Sequence, residues 1–170
     1  MLKTYWHMAL AIASGSVSDV APPGIEIRAL SGSRDIESIA LLYAVAFDDA
    51  QWSPDWTGFP GYDSRGVFLA WDGDGLVGYV VSYVLPKSKE AYISVVATAP
   101  AHRRRGIASA LIARAVKRFH LQGFEQVTID VAADNEPALR AYQSLGFARV
   151  GEFLADEHCR IPETAQDGPS

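Results

Sequence analysis

Tyr92–Ala108 reads YISVVATAPAHRRRGIA. Its first half, Tyr92 to Ala97, is rich in β-branched residues and reads as a strand that Thr98, Ala99 and Pro100 bring to an end. Its second half opens an amphipathic helix over about Gly106 to Leu121, with Ile107, Leu111, Ala115 and Phe119 on one face. Between them stands Arg103-Arg104-Arg105-Gly106-Ile107-Ala108. A helix start exposes amides with no partner inside the helix, Gly106 lets the backbone approach a ligand, and Ala108 has almost no side chain to block that approach. Such a turn can wrap a phosphate or pyrophosphate with several N–H donors, assisted by the helix dipole. Each charge-assisted contact supplies about 1.5–3 kcal/mol. The plainer reading of the same residues is a solvated arginine face with a glycine in a tight turn. No Gly-Lys-Ser/Thr follows, so this is not the loop that serves ATP chemistry.

Downstream, Gly123 ends the helix, and Val127, Ile129 and Val131 mark a strand. Pro137 opens a last helix that runs to about Leu145, with Gly146 as its C-cap, and Phe147 to Phe153 returns as a strand. Upstream, Pro22-Pro23-Gly24 precedes a strand at Ile25–Ala29. A helix from Ser33 to about Phe47 buries Ile36, Ile39, Ala40, Tyr43, Ala46 and Phe47. Asp48 to Arg65 reads as an aromatic-rich loop. Val67–Trp71 and Leu76–Leu85 form a hairpin around Asp72-Gly73-Asp74-Gly75. The resulting order of elements is an α/β (α+β) arrangement, a mixed sheet with helices on both faces. The division expected is an N-terminal extension over 1–24, a single domain over 25–161 with a short last strand at Glu157–Ile161, and a polar tail over 162–170.

The 170 residues are 49% apolar, enough for one sizeable core. A net charge of −5 argues against broad affinity for nucleic acid or an anionic membrane. Met8–Ala13 is the longest apolar run near the start. It is too short for a membrane span or an ordinary secretory signal, and reads as an ordered extension or a frayed tail. Cys159 is the single cysteine and the histidines are dispersed, so neither a disulfide nor a metal site is indicated, in keeping with a cytoplasmic setting.

Two motifs together carry a resemblance. Arg103-x-x-Gly106-x-Ala108 after a strand is followed, one helix and one strand later, by Asn135-Glu136-Pro137-Ala138-Leu139-Arg140-Ala141-Tyr142-Gln143-Ser144-Leu145-Gly146-Phe147. The pair resembles the GCN5-related N-acetyltransferase (GNAT) superfamily, in a bacterial-type form, over roughly Ile25 to Phe153. The resemblance implies a three-layer fold, acetyl-CoA as cosubstrate and direct transfer of an acetyl group to a primary amine. It also implies roles. Arg103, Arg104, Arg105, Gly106, Ile107 and Ala108 hold the pyrophosphate. Val95, Val96 and Ala97 run beside the pantetheine arm where neighbouring strands splay, and the Val96 amide faces the thioester carbonyl. Asn135 contacts the cofactor arm, or else simply caps the helix before Pro137. Tyr142 protonates the departing thiolate, or else packs as a helix aromatic.

The acceptor side is less defined. Direct transfer needs a neutral amine, so some group must take its proton. Glu90 resembles a position where some relatives place that base, although it follows Lys87, Ser88 and Lys89 and a solvated hairpin end is the simpler account. Asp48 and Asp49 sit where charge opposes the helix dipole and either attract a cationic acceptor or merely cap the following turn. Trp52 and Trp56 can wall the acceptor site, or else close the loop over the core, and Asp130 can point into the site. A small-molecule amine is the favoured acceptor. A peptide N-terminus, as in ribosomal-protein acetyltransferases, is the alternative, and an acyl-CoA-binding module without turnover the next. If a last strand is absent, a second copy in a homodimer or the N-terminal stretch would cover the open sheet edge.

Overall fold

The computed structural model describes residues 2–12, 18–47, 58 and 61–156. Its strands are β1 (Leu2–Ala11), β2 (Ile25–Ala29), β3 (Val67–Asp72), β4 (Gly75–Val84), β5 (Ala91–Thr98), β6 (Gln126–Ala132) and β7 (Ala148–Asp156). Its helices are α1 (Ser33–Phe47), α2 (Ile107–Leu121) and α3 (Glu136–Leu145). The strands form one sheet in the order β2-β3-β4-β5-β6-β1-β7. Every neighbouring pair is antiparallel except β5 and β6.

The sheet has apolar residues on both faces, so it must be covered on both. Ile39, Leu42 and Tyr43 of α1 close one face over Leu69, Tyr79, Val81 and Tyr92. Ile107, Leu111, Ala115 and Phe119 of α2, joined by Leu139 of α3, close the other over Val80, Ile93, Val127 and Ile129. Helix α2 lies unusually close to the sheet. A Cβ at Gly78 would stand 2.9 Å from Ile107 Cγ2 and 3.1 Å from Leu111 Cδ1, so a side chain there would force these buried residues of α2 to shift. Helix α2 is also buried beyond the expected stripe, at Ala110, Ile112, Ala113 and Val116. Part of the reason is the chain just before β2, which crosses the helix. Asp19 pairs there with Arg114 at 3.4 Å and Lys117 at 3.2 Å, and Ala21 packs on the core.

The N-terminal residues are not an extension outside the sheet, and this corrects the expected division at residue 24. Strand β1 lies between β6 and β7 and pairs with both. Trp6, Met8 and Leu10 point into the core under α2, where Met8 is completely buried. Strand β1 fills an interior position of the sheet, and the edge strands are β2 and β7. Both partners of β1 lie more than a hundred residues away in the chain, so no local pattern announces the pairing. Strand β7 continues past Phe153 to Asp156. The expected strand at 157–161 and the tail lie outside the described residues, as does most of the loop from Asp48 to Arg65. No helix among the described residues is long and apolar enough to cross a membrane.

Helix α1 is tied to β2 by Arg28, whose Nη1 and Nη2 donate to the two oxygens of Asp35 at 2.8 Å each. Asp35 is buried and also accepts from the Ser31 amide and hydroxyl. The Arg28 guanidinium, with the Ser31 donors, brings its carboxyl from the ordinary 3.8 down to about 2. A depressed folded-state value stabilises above the unfolded value, and the benefit is lost as pH falls toward the folded one. Urea unfolding followed between pH 5 and 2 should therefore show stability declining from pH 4 to pH 2. Asp35→Asn should lower stability at pH 7 and flatten that decline.

Candidate active site

The site starts with a defect in the sheet. Val81 pairs with Val95 while Ser82 pairs with Ile93, which leaves Ser94 as an extra residue on β5. At the same level the parallel pairing of β5 with β6 stops, its last pair being Ile93 with Ile129. Beyond it the two strands part, and among the described residues no strand pairs with β5 from Ser94 to Thr98 on the side toward β6. Alternate amides and carbonyls of Val95, Val96 and Ala97 are available there. Val95 and Ala97 bury their side chains toward α1, whereas Val96 packs partly toward α2.

The same end of the sheet carries the start of α2. Gly106 adopts a left-handed conformation, φ 81°, as does Arg104 before it, φ 64°. The first hydrogen bond inside the helix runs from the Ala110 amide to the Gly106 carbonyl at 3.1 Å. The amides of Ile107, Ala108 and Ser109 precede it, and no side chain among the described residues caps them. Two of the basic residues are used to hold the turn. Arg103 Nη2 donates to the Ala46 carbonyl at the end of α1 at 3.0 Å, and His102 Nε2 meets Asp72 Oδ2 at 3.0 Å. Arg104 and Arg105 are exposed. The turn is thus braced from two sides with its donors open, the arrangement an anion needs.

Asn135 does what its capping alternative requires, since its Oδ1 accepts from the Ala138 amide at 3.3 Å. Tyr142 is half-buried on α3 and packs against Phe147 with ring centroids 6.1 Å apart. Burial pushes its phenol up to about 12, so it remains a protonated donor at neutral pH.

On the α1 face, polar side chains collect where β5 and β6 separate. Asp130 accepts from Tyr92 Oη at 2.9 Å through Oδ2, and its Oδ1 lies 2.6 Å from His7 Nδ1. Glu90 does not trail into solvent from the hairpin. Its Oε2 reaches Thr128 Oγ1 at 3.4 Å and lies 3.8 Å from His7 Nε2. The hydrogen bond to Asp130 raises His7 above its ordinary 6.5 despite partial burial, and the charges of Asp130 and Glu90 add to it. His7 and Tyr92 were not among the residues expected at the site. His7 meets Asp130 only through the β1–β6 register, so no local signal could have found it. Asp48, Asp49, Trp52 and Trp56 lie outside the described residues.

The Acetyltransferase (GNAT) family model matches residues 34–147. The chain belongs to this family. It is 29% identical over 160 residues to a mycothiol acetyltransferase of Thermobispora bispora, an alignment covering 86% of this chain and 54% of that protein. The chain spans about half the length of the curated relatives it matches. In fold it is similar to a GCN5-related N-acetyltransferase from Sphaerobacter thermophilus, with a TM-score of 0.76, 21% identity and coverage of 90% of this chain and 50% of the other. It is also similar to the ribosomal-protein-S18-alanine N-acetyltransferase of Escherichia coli, with a TM-score of 0.60, 21% identity and coverage of 72% and 76%. The family model begins at residue 34, so β1 and His7 stand outside the matched region.

This GNAT chain has its helix start built around Gly106, and that residue gives a direct test. In Gly106→Val the left-handed backbone should cost about 1–2 kcal/mol of stability. Calorimetric titration with CoA should show affinity weakened roughly ten- to a hundredfold, as expected for loss of one charge-assisted contact.

Proposed function

We propose that this protein is an acetyl-CoA-dependent N-acetyltransferase that transfers the acetyl group directly to the primary amine of a small molecule. The observation that carries the reading is the coincidence, at one end of the sheet, of the β5–β6 split and the uncapped start of α2. The split offers a peptide edge to an extended amide-containing arm, and the helix start offers amides to a diphosphate. When bound, acetyl-CoA supplies an activated thioester whose thiol is the leaving group.

Each residue then has a task. The amides of Arg104 through Ala108 grip the diphosphate, while Arg103 fixes the turn against α1 and Arg104 and Arg105 draw the anion in. The exposed edge of Val95–Ala97 orients the arm, and the Val96 amide donates to the thioester carbonyl, where negative charge develops. Tyr142 keeps its proton until the leaving sulfur needs it. Glu90 and Asp130 make the opposite face acidic, which favours a cationic amine. Support for a small-molecule acceptor comes from the run of relatives named mycothiol acetyltransferase, at 27–29% identity over most of this chain.

Thiol release from acetyl-CoA, measured across amino sugars, polyamines, amino acids and peptides, tests the acceptor class. Turnover should be confined to small amines, and activity on peptides alone would overturn that class. CoA that binds without release in any arm would leave only a binding module. Tyr142→Phe should lower kcat by roughly a hundredfold with KM for acetyl-CoA nearly unchanged, because the phenol acts on the departing thiolate and not on binding.

A further inference from the structure

The proposed transfer needs a proton acceptor, and the sheet brings a histidine to the split from outside the family-matched region. His7 comes from β1, outside residues 34–147. It stands opposite Asp130 on β6, the first residue beyond the last β5–β6 pair, and so at the apex of the split. On its other side β7 contributes Gly151, with Val150 left as an extra residue in the β1–β7 register. The groups facing the imidazole are therefore Asp130 from β6, Glu90 from just before β5, Tyr92 from the start of β5, and no ionisable group at the opposed position of β7.

We propose that His7 is the general base of this enzyme and that Asp130 is its positioning residue, a pair completed only by the N-terminal strand. The inference rests on the acetyltransferase reading given above. Asp130 Oδ1 at 2.6 Å fixes the proton on His7 Nδ1, so in the neutral ring Nε2 carries the lone pair. Nε2 has Glu90 at 3.8 Å, beyond a hydrogen bond, and accepts from no donor among the described residues. The second oxygen of Asp130 is held by Tyr92, so the carboxylate cannot swing away from the ring. The side chain of His7 is 22% exposed, enough for contact with a substrate amine or one intervening water.

In the transfer the acceptor nitrogen forms a bond to the acetyl carbon and its N–H proton passes to His7 Nε2. The carbon–sulfur bond breaks with its electron pair on sulfur, and Tyr142 supplies the proton that makes the thiol. His7 then returns its proton to solvent and Tyr142 regains one. Glu90 contributes its charge to His7 and attracts the ammonium form of the acceptor. A protonated His7 cannot accept, so kcat/KM must fall as pH drops through the elevated pKa of this histidine.

The test uses the full chain, acetyl-CoA, and glucosamine or spermidine as acceptor, with ¹⁵N-imidazole NMR of His7 and CoA calorimetry alongside. His7→Gln should lose on the order of a hundredfold in kcat while CoA affinity stays within about twofold. Asp130→Asn should move both the acid limb of kcat/KM and the NMR midpoint of His7 to lower pH. Glu90→Gln should move them less. A purely structural His7 would alter stability without moving that limb. Acetyl transfer with an unchanged pH profile in Asp130→Asn, or a His7 that titrates below its ordinary value, would overturn the assignment and leave the acetyltransferase reading intact. Failure to bind CoA, or failure of both acceptors to release thiol from bound acetyl-CoA in the unaltered protein, would overturn the two together.

Discussion

One extra residue in one strand governs this molecule. Ser94 cannot be accommodated in the β4–β5 ladder, so β5 bends, and the bend takes it out of reach of β6 after a single short stretch of parallel pairing. A parallel pair in the middle of a sheet would ordinarily continue and bury its edge. Here that edge is left unmatched between two well-packed faces, with Ile93 and Ile129 fully inside the core immediately below it. Packing beneath the split is what keeps it open: neither strand can slide to restore pairing without pulling apolar side chains out of the clusters under α1 and α2.

The rest of the site is arranged about that split from three directions. Helix α2 is pressed against the sheet through Gly78, which fixes where its uncapped amides lie. Arg103 and His102 lash the preceding turn to α1 and to the end of β3, so a backbone segment with two left-handed residues has a defined shape without a ligand. Helix α3 presents Tyr142 from the side of α2, while Asp130, Tyr92 and Glu90 lie on the side of α1. The start of α2 and Tyr142 therefore lie on one face of the sheet, and the cluster of Glu90, Tyr92, Asp130 and His7 on the other.

Strand β1 gives the domain a dependence that a compact α/β unit need not have. It supplies the hydrogen bonds that both β6 and β7 would lack, puts Met8 at the centre of the core and brings His7 to Asp130. Stability and chemistry are linked through the same ten residues. The crossing segment after β1 reinforces this, because Asp19 engages Arg114 and Lys117 on α2 and Ala21 packs on the core.

The amino-acid sequence by itself determined the elements whose signals are local. The hairpin at Asp72–Gly75, the stripe of α2, the Pro137 start and Gly146 end of α3, and the glycine turn ahead of Ile107 all follow from neighbours within a few residues, and the structure has each in place. The two motifs, spaced by one helix and one strand, carried the family. Tertiary structure alone decided whatever depends on register between distant strands. It made β1 an interior strand where an extension was expected, turned the Glu90 side chain back over the sheet, and joined His7 to Asp130 across 123 positions of the chain. The physical reason is that strand pairing is specified by the hydrogen-bonding edge and the faces of the partner, and neither exists until the partner has folded.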